Sequence, residues 1–266
     1  MSDYQAIALD LDGTLLNSAM RMSEKNATAL TEAIEAGKQV VLATTRWYGL
    51  AKRTADRLGI STPIISSNGA RVTRPGDGAE LLDLTLDEEA AREIVTLADD
   101  RGWEMFTTIG DATYMQMRPG VIEEKLPAGL RVAERTSDHL GDGAPTCVLV
   151  YGPEAIAEIE QRCASRFAGR VRFSFNRPPI SNHYVVITHP DAEKATGLAI
   201  ACRELGVQRE AVIAMGDSES DLAMLAWAGL GIAMKNSPDE VRKSALHVAP
   251  SNDEDGVAWA VRRFLL

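Results

Sequence analysis

Short apolar runs alternate with amphipathic segments along the first part of the chain. Apolar runs at 6–9, 39–43 and 63–66 predict buried strands, and the amphipathic segments 23–36 and 50–58 between them predict helices. Strands separated by helices in this way are typical of a parallel sheet that helices cover on both faces. The first part of the chain therefore predicts an α/β fold.

The pattern changes after residue 81, where strands follow one another in pairs. The elements predicted here are helices at 87–101 and 154–167 and strands at 103–109, 112–117, 146–151, 171–175 and 184–188. Regular alternation returns after residue 190, with helices at 196–205 and 221–228 and strands at 211–214 and 230–233. We expect a doubly wound, Rossmann-like α/β core at 1–83 and 188–266 with an α+β domain inserted at 84–187.

Composition limits the class of partner. The chain has 266 residues, a formal net charge of -10 and a pI of about 5.0. This charge argues against nucleic acid or an anionic membrane as the partner. It leaves room for a small anionic substrate, because a metal ion and a few cationic side chains can reverse the local field.

The cysteines and the N-terminus indicate a cytoplasmic protein. Cys147, Cys163 and Cys202 are far apart in sequence, so we expect small buried side chains rather than a disulfide framework or a zinc site. The first residues lack the basic and apolar regions of a signal peptide. No apolar stretch has the length of a membrane-spanning helix.

Four polar clusters each follow one of the predicted strands. They are Asp10-Leu11-Asp12-Gly13-Thr14, Thr44-Thr45-Arg46, Ser67-Asn68-Gly69 and Gly216-Asp217. Any one cluster is consistent with ordinary turn chemistry, because Asp and Asn cap helices and Gly permits positive φ. Ligands of open parallel sheets bind outside the carboxyl ends of the strands, so the four clusters together favour one shared site.

The run Asp10-Leu11-Asp12-Gly13-Thr14-Leu15-Leu16 resembles the signature of the haloacid dehalogenase-like superfamily. The resemblance extends to Thr44, Lys194 and the segments 216–221, 229–237 and 253–257. These later segments, the segment Ser67-Asn68-Gly69-Ala70 and the position of the insert are similar to the Cof-type branch with its subclass IIB cap. The inserted domain shares the order of elements with that cap and carries no diagnostic motif.

The resemblance implies a reaction. Asp10 would be the nucleophile that attacks phosphorus and forms an aspartyl phosphate. Asp12 would be the general acid that protonates the leaving oxygen and later the base that activates water. Gly13 would let the backbone approach the site closely. The implied activity is hydrolysis of small phosphate monoesters, with sugar phosphates or related metabolites as the leading class.

The resemblance also implies Mg²⁺ as cofactor. Its ligands would be the carboxylate of Asp10, the backbone carbonyl of Asp12 and the carboxylate of Asp217, and Mg²⁺ prefers such oxygen ligands. Mg²⁺ bound to Asp10 would favour the ionised form of this carboxylate. Asp221 would orient the waters of the metal or Lys194, although an ordinary first-turn helix carboxylate is the alternative.

Phosphoryl transfer needs fixed hydrogen-bond donors around the three phosphoryl oxygens. The resemblance assigns this role to the Thr44 hydroxyl, the Lys194 ammonium and the backbone N–H groups of Leu11 and Thr45. Ser220 would be a further phosphate-binding residue.

The chain departs from the family pattern at three positions. Thr45 stands where the family usually has glycine, and Lys235 stands where glycine is frequent. Ser220 replaces an asparagine, and its shorter side chain would reach the phosphate through a bridging water. None of these changes removes a group that the chemistry requires.

Several polar residues are candidates for substrate specificity. They are Arg46, Asn68, Asn176, Arg177 and His183. Arg46 is equally consistent with pairing to a substrate anion and with bracing the edge of the sheet. The three candidates in the insert are of types that are more often structural. Trp47 and Tyr48 either pack in a core or stack on a sugar ring.

Other functions stay open. A sugar phosphomutase of the same superfamily would return the phosphoryl group to another hydroxyl. A binding module that has lost catalysis is opposed by the intact Asp10, Asp12, Lys194 and Asp217. A dehalogenase is disfavoured because a leaving halide needs no acid, and a dinucleotide oxidoreductase because no strand leads into G-x-G-x-x-G. The sequence specifies neither the physiological substrate nor the oligomeric state.

Overall fold

The computed structural model describes residues 3–116, 126–176 and 183–266. The chain divides into two compact units. The first is Met1–Arg46, Ala51–Leu82 and Glu193–Leu266, and the second is Trp47–Leu50 and Asp83–Ala192. The second unit includes the short piece Trp47–Leu50, which lies outside the insert expected at 84–187. In the described part of the chain, no helix is long and apolar enough to cross a membrane.

A parallel sheet forms the centre of the first unit. Its strands are β1 Ala6–Leu9, β2 Gln39–Leu42, β12 Val212–Gly216, β13 Leu230–Met234 and β14 His247–Ala249. They lie in the order β14-β13-β12-β1-β2, and all neighbours run parallel. Every residue of β1 is buried, as expected for a central strand with both faces covered. The parallel core predicted from the alternation of strands and helices is confirmed.

The helices of the structure are α1 Glu24–Glu35, α2 Tyr48–Leu58, α3 Glu88–Arg101, α4 Pro153–Ile159, α5 Lys194–Leu205, α6 Leu222–Trp227, α7 Asp239–Ser244 and α8 Gly256–Ala260. Apart from α4, each helix that the sequence predicts begins and ends within two residues of its predicted position. Ser23 caps α1, because its side chain accepts a hydrogen bond from the backbone N–H of Asn26. Helix α5 begins two residues earlier than the predicted 196, so Lys194 is its first residue and does not precede it.

The third predicted strand does not extend the parallel sheet. It is β3 Ile64–Ser66, which belongs to a three-stranded sheet with β4 Arg71–Thr73 and β5 Glu80–Asp83. Strand β3 pairs antiparallel with β4, and among the described residues it meets the parallel sheet at one parallel bridge between Ala43 and Ile65. The expectation that 63–66 is a full strand of the parallel sheet was wrong: Ser67 and Asn68 adopt positive φ and reverse the chain, so β3 pairs along its length with β4.

The second unit has a mixed sheet with helices on one face. Its strands are β6 Met105–Ile109, β7 Ala112–Gln116, β8 Leu130–Ala133, β9 Cys147–Tyr151, β10 Arg172–Asn176 and β11 Tyr184–Thr188, in the order β10-β11-β9-β6-β7-β8. Helices α3 and α4 pack on the face formed by residues such as Val148, Val150 and Ile187. Helix α4 ends at Ile159 and continues as a wider turn at Glu160–Ala164, in place of the single helix predicted at 154–167.

Candidate active site

Aligned strand ends bring the first polar clusters together. Leu9, the last residue of β1, lies beside Met215 of β12 and beside Leu42 of β2 in the parallel register. Asp10 follows Leu9 directly, and Asp217 follows the end of β12. Both side chains therefore leave the sheet at its carboxyl edge, where α/β folds bind their ligands.

Lys194 joins two of the carboxylates. Its Nζ lies 2.6 Å from Oδ1 of Asp10 and 2.7 Å from Oδ1 of Asp221. All three residues are buried, with exposed fractions of 1% for Lys194, 4% for Asp10 and 0% for Asp221. Burial opposes the charged form of Lys194, but the two carboxylates outweigh it and raise its pKa above the ordinary value. Lys194 is therefore a permanent ammonium group in the site.

Asp217 lies against the loop that follows β1. The hydroxyl of Thr14 donates to Oδ1 of Asp217 over 3.2 Å. Gly13 has a φ of +82°, and a Cβ at this position would lie only 2.2 Å from Oδ2 of Asp217. The glycine is therefore needed both for the left-handed turn and for the approach of the carboxylate. Thr14 was not singled out from the sequence, although it belongs to the first cluster.

Asp221 has both of its carboxylate oxygens engaged. Oδ1 accepts from Lys194, and Oδ2 accepts from the backbone N–H groups of Asp217 and Ser218 over 3.0 and 2.9 Å. The hydroxyl of Ser218 also donates to Oδ2, and it lies 2.9 Å from the hydroxyl of Ser220. Asp221 thus fixes Lys194 and the turn after β12 at once. Ser218 was missed from the sequence because serine is common in turns.

The carboxylate set fits a divalent metal ion. One oxygen atom from each of Asp10, Asp217 and Asp221 can be chosen so that all lie within 4.8 Å of one another. Burial raises the pKa of Asp10 well above its ordinary value, and it raises the pKa of Asp217 to about 7. The charges of neighbouring carboxylates raise both pKa values further, whereas the charge of Lys194 lowers them. Buried negative charge in such excess is what a hard cation such as Mg²⁺ neutralises. Because both oxygens of Asp221 accept hydrogen bonds, Asp10 and Asp217 are the carboxylates better suited to such an ion.

Thr44 is fully buried and held by its backbone. Its N–H donates to the carbonyl of Ile65, and its carbonyl accepts from the N–H of Asn68. Its hydroxyl oxygen accepts from the N–H of Arg46 over 3.1 Å. The hydroxyl proton therefore stays available to a ligand.

Two backbone donors expected at the phosphate site have no hydrogen-bond partner in the described part of the chain. Across residues 3–116, 126–176 and 183–266, the N–H groups of Leu11 and Thr45 form no hydrogen bond. Backbone N–H groups without a partner beside a strand end are suited to an anionic ligand.

Arg46 pairs with Asp12. Its Nε donates to Oδ2 of Asp12 over 2.7 Å, and a terminal nitrogen of the guanidinium donates to Oδ1. The partner of Arg46 in the structure is therefore a side chain of the first cluster, a pairing that was not among the two roles considered from the sequence. Arg46 and Asp12 were both candidates, but nothing in the sequence indicated that they pair.

Two other sequence candidates have distinct surroundings. Asn68 is 4% exposed with a φ of +57°, and its Oδ1 has no hydrogen-bond partner among the described residues. Lys235, which had no explanation from the sequence, forms an exposed ion pair with Glu254 over 3.2 Å. The buried Oδ1 of Asn68 is therefore suited to accept a hydrogen bond from a ligand. The exposed pair of Lys235 with Glu254 contributes little to stability.

Two asparagines hold the loop after β1. The Nδ2 of Asn236 donates to the carbonyl of Gly13 over 2.8 Å, and the Nδ2 of Asn252 donates to that of Leu16 over 3.0 Å. The backbone N–H of Asn252 donates to Oδ1 of Asn236. Sequence reasoning missed their role. Asn236 falls inside the segment 229–237 that carries the family resemblance, and its position in that segment could have indicated a role at the site.

The second unit holds the remaining candidates. Asn176 ends β10 opposite Tyr184, and the carbonyl of His183 accepts from the N–H of Gly152. Arg177 lies outside the described residues. A row of half-buried aromatic rings runs through this unit in the order Trp47, Phe106, Tyr151 and Tyr184, with neighbouring ring centres 5.6, 6.1 and 5.6 Å apart. Trp47 thus stacks on Phe106.

A sequence model of haloacid dehalogenase-like hydrolases matches residues 7–261. The chain belongs to this family. It is 31% identical over 293 aligned positions to a 5-amino-6-(5-phospho-D-ribitylamino)uracil phosphatase of Bacillus subtilis, covering 98% of each chain. It is 27% identical to a phosphoglycolate phosphatase of Methanothermobacter thermautotrophicus, covering 98% of this chain and 99% of that one.

The fold also has solved counterparts. A haloacid dehalogenase-like hydrolase from Bacteroides thetaiotaomicron superposes with a TM-score of 0.82 at 27% identity, covering 98% of this chain and 99% of that one. The resemblance stated from the sequence is confirmed, as are the α/β fold and the enzyme class of phosphatase.

Proposed function

We propose that the chain is a cytoplasmic, Mg²⁺-dependent phosphatase that hydrolyses small phosphate monoesters through an aspartyl phosphate on Asp10. The observation that carries this proposal is the buried cluster in which Lys194 contacts Asp10 and Asp221, with Asp217 beside them. A carboxylate nucleophile, a fixed cation and further acidic ligands at one strand edge are the groups that phosphoryl transfer needs.

The first step transfers the phosphoryl group to Asp10. A carboxylate oxygen of Asp10 attacks phosphorus, and the bond from phosphorus to the ester oxygen breaks. Lys194, the Thr44 hydroxyl and the N–H groups of Leu11 and Thr45 donate to the phosphoryl oxygens and stabilise their charge. Asp12 gives a proton to the departing oxygen, which leaves as an alcohol.

The second step regenerates the enzyme. Asp12, now ionised, takes a proton from a water molecule that attacks phosphorus. The bond between phosphorus and Asp10 breaks, so that inorganic phosphate leaves and the Asp10 carboxylate is restored. One group therefore serves first as acid and then as base.

The metal would be held by the carboxylates of Asp10 and Asp217 and by the backbone carbonyl of Asp12. When bound, Mg²⁺ supplies positive charge that favours ionised Asp10 and offsets the charge of the phosphoryl oxygens. Asp221 orients Lys194 and the turn that carries Asp217.

Sugar phosphates and related metabolites are the leading substrate class. In this proposal the second unit, with Asn176 and His183, selects the group remote from phosphorus. Its aromatic row favours a second class, phosphate esters that bear a flat heteroaromatic ring, because such rings stack on aromatic side chains. The relative from Bacillus subtilis is named for a substrate with a uracil ring. A sugar phosphomutase activity is the alternative reaction.

The test is phosphate release from a panel of sugar phosphates, short-chain acid phosphates and ring-bearing monophosphates, with Mg²⁺ and after chelation. We expect Mg²⁺-dependent release that is abolished in Asp10→Asn. Isomerised hexose phosphate without phosphate release would indicate a mutase. Full activity after exhaustive chelation, or in Asp10→Asn, would exclude the proposed mechanism.

A further inference from the structure

Two cationic side chains hold three carboxylates of the candidate active site. Lys194 contacts Asp10 and Asp221. Arg46 contacts Asp12, and among the described residues it forms a salt bridge with no other carboxylate. The carboxylate proposed for proton transfer is therefore held by a different cation from the nucleophile and its neighbours.

The form of the Arg46–Asp12 contact constrains orientation. Nε and a terminal nitrogen of one guanidinium each bind a different oxygen of Asp12. This planar, two-point pairing fixes the carboxylate plane, which a single ammonium group cannot do. The Asp12 side chain is 36% exposed, so packing alone does not determine its rotamer.

The backbone of Arg46 is itself anchored on both sides. Its N–H donates to the hydroxyl oxygen of Thr44, and its carbonyl accepts from the N–H of Ser67 over 2.8 Å. The loop that begins at Ser67 packs against the start of α5, since a Cβ at Gly69 would lie 2.2 Å from the carbonyl carbon of Glu193. The backbone of Arg46 is thus anchored to a loop that packs against the start of the helix that carries Lys194.

We infer that Arg46 is a positioning residue that holds the carboxylate of Asp12 in the orientation for proton transfer, and that it does not bind a substrate anion. This inference rests on the proposed function. It predicts that the effect of Arg46 on catalysis passes through Asp12, so that removing Asp12 also removes that effect.

The experiment is a double-mutant cycle with Arg46→Met, Asp12→Asn and the double variant. The parameter is kcat/KM, which covers the steps up to departure of the leaving group, for a radiolabelled alkyl phosphate and for p-nitrophenyl phosphate. Arg46→Met should lower kcat/KM for the alkyl phosphate by about 10–100-fold, since misplacement of a catalytic group by about 1 Å costs this much. The loss with p-nitrophenyl phosphate should be smaller, because nitrophenolate leaves without a proton.

In the Asp12→Asn background, Arg46→Met should cause no further loss. Arg46→Lys should recover only part of the activity, because the charge is kept and the two-point contact is lost. Arg57→Met is the matched control, since Arg57 forms an exposed ion pair with Glu24 in the same unit. It should keep wild-type kinetics.

Additive losses in the double variant, or equal losses with both substrates, would overturn the inference and assign Arg46 to substrate binding. Full activity of Arg46→Lys would contradict the need for two-point contact. If thermal unfolding shows that Arg46→Met does not fold, the cycle is run with Arg46→Lys. A wild-type protein without phosphatase activity would instead refute the proposed function. Failure of the proposed function and failure of the inference about Arg46 are therefore distinguishable.

Discussion

Replacing Asp217 by asparagine should stabilise the metal-free protein at alkaline pH. Asp217 is half-buried beside Asp221, and the pKa of its carboxyl is raised from 3.8 to about 7. Asparagine keeps an oxygen that can accept from Thr14 and carries no charge to desolvate. The substitution therefore removes the desolvation and charge repulsion that destabilise the metal-free folded protein.

The size of the effect follows from the pKa. A shift from 3.8 to about 7 corresponds to a ceiling of about 4 kcal/mol, at about 1.4 kcal/mol per unit. Asp217 is partly exposed, so solvent screening lowers the expected gain to about 1–3 kcal/mol. Between about pH 4 and pH 7 the folded state binds more protons at this group than the unfolded state, so its contribution to stability falls as pH rises. The advantage of Asp217→Asn should be absent at acidic pH, grow through this window and be complete above it.

The assay is urea unfolding of chelated protein at several pH values, repeated with Mg²⁺. Wild-type protein should gain stability from Mg²⁺, and Asp217→Asn should gain much less. Asp56→Asn is the control, because Asp56 forms an exposed pair with Lys52 and its loss should change stability by under about 0.5 kcal/mol. A metal-free Asp217→Asn protein that is less stable than wild type above pH 7, or a difference that does not vary with pH, would refute the reasoning.

Three further predictions concern the loop, the lysine and the second unit. Gly13→Ala should destabilise the fold by about 1–2 kcal/mol, because alanine is strained at the left-handed φ of this position. It should also raise the Mg²⁺ concentration for half-maximal activity by displacing Asp217, and a metal titration that matches wild type would contradict this. Lys194→Met should abolish turnover and lower the free energy of unfolding by about 3–5 kcal/mol, because it leaves the buried carboxylates of Asp10 and Asp221 unpaired. Denaturant unfolding measures this loss, and a variant as stable as wild type would contradict it. Asn176→Ala and His183→Ala should change kcat/KM unequally among sugar phosphates, by up to about 1–3 kcal/mol for a lost buried hydrogen bond, and change it less with p-nitrophenyl phosphate; uniform effects across substrates would place specificity elsewhere.

The parts of the site that depend on strand register could be predicted from the sequence. Asp10 and Asp217 follow neighbouring buried strands, and parallel pairing of Leu9 with Met215 brings the two strand ends to one edge. The family signature then suggested a role for each carboxylate. The identity and order of the strands, which the apolar runs indicate, are enough to predict this arrangement.

The pairing of Arg46 with Asp12 could not be predicted in this way. It depends on a loop in which Ser67 and Asn68 adopt positive φ, and serine gives no sequence signal for that conformation. The same reversal brings β4 back along β3, a pairing that the prediction for the run 63–66 did not include. Side-chain partners across such loops are set by backbone geometry that apolar periodicity does not encode.

The proposed function depends on Asp10 carrying the phosphoryl group during turnover. This step can be observed by mixing Asp12→Asn with p-nitrophenyl phosphate, quenching in acid and analysing the peptides by mass spectrometry. Loss of Asp12 should slow hydrolysis of the intermediate more than its formation, because nitrophenolate leaves without a proton. We expect a burst of nitrophenol close to the enzyme concentration and a phosphoryl group on Asp10. A variant that releases nitrophenol steadily, with no burst and no phosphoryl group on Asp10, would contradict it.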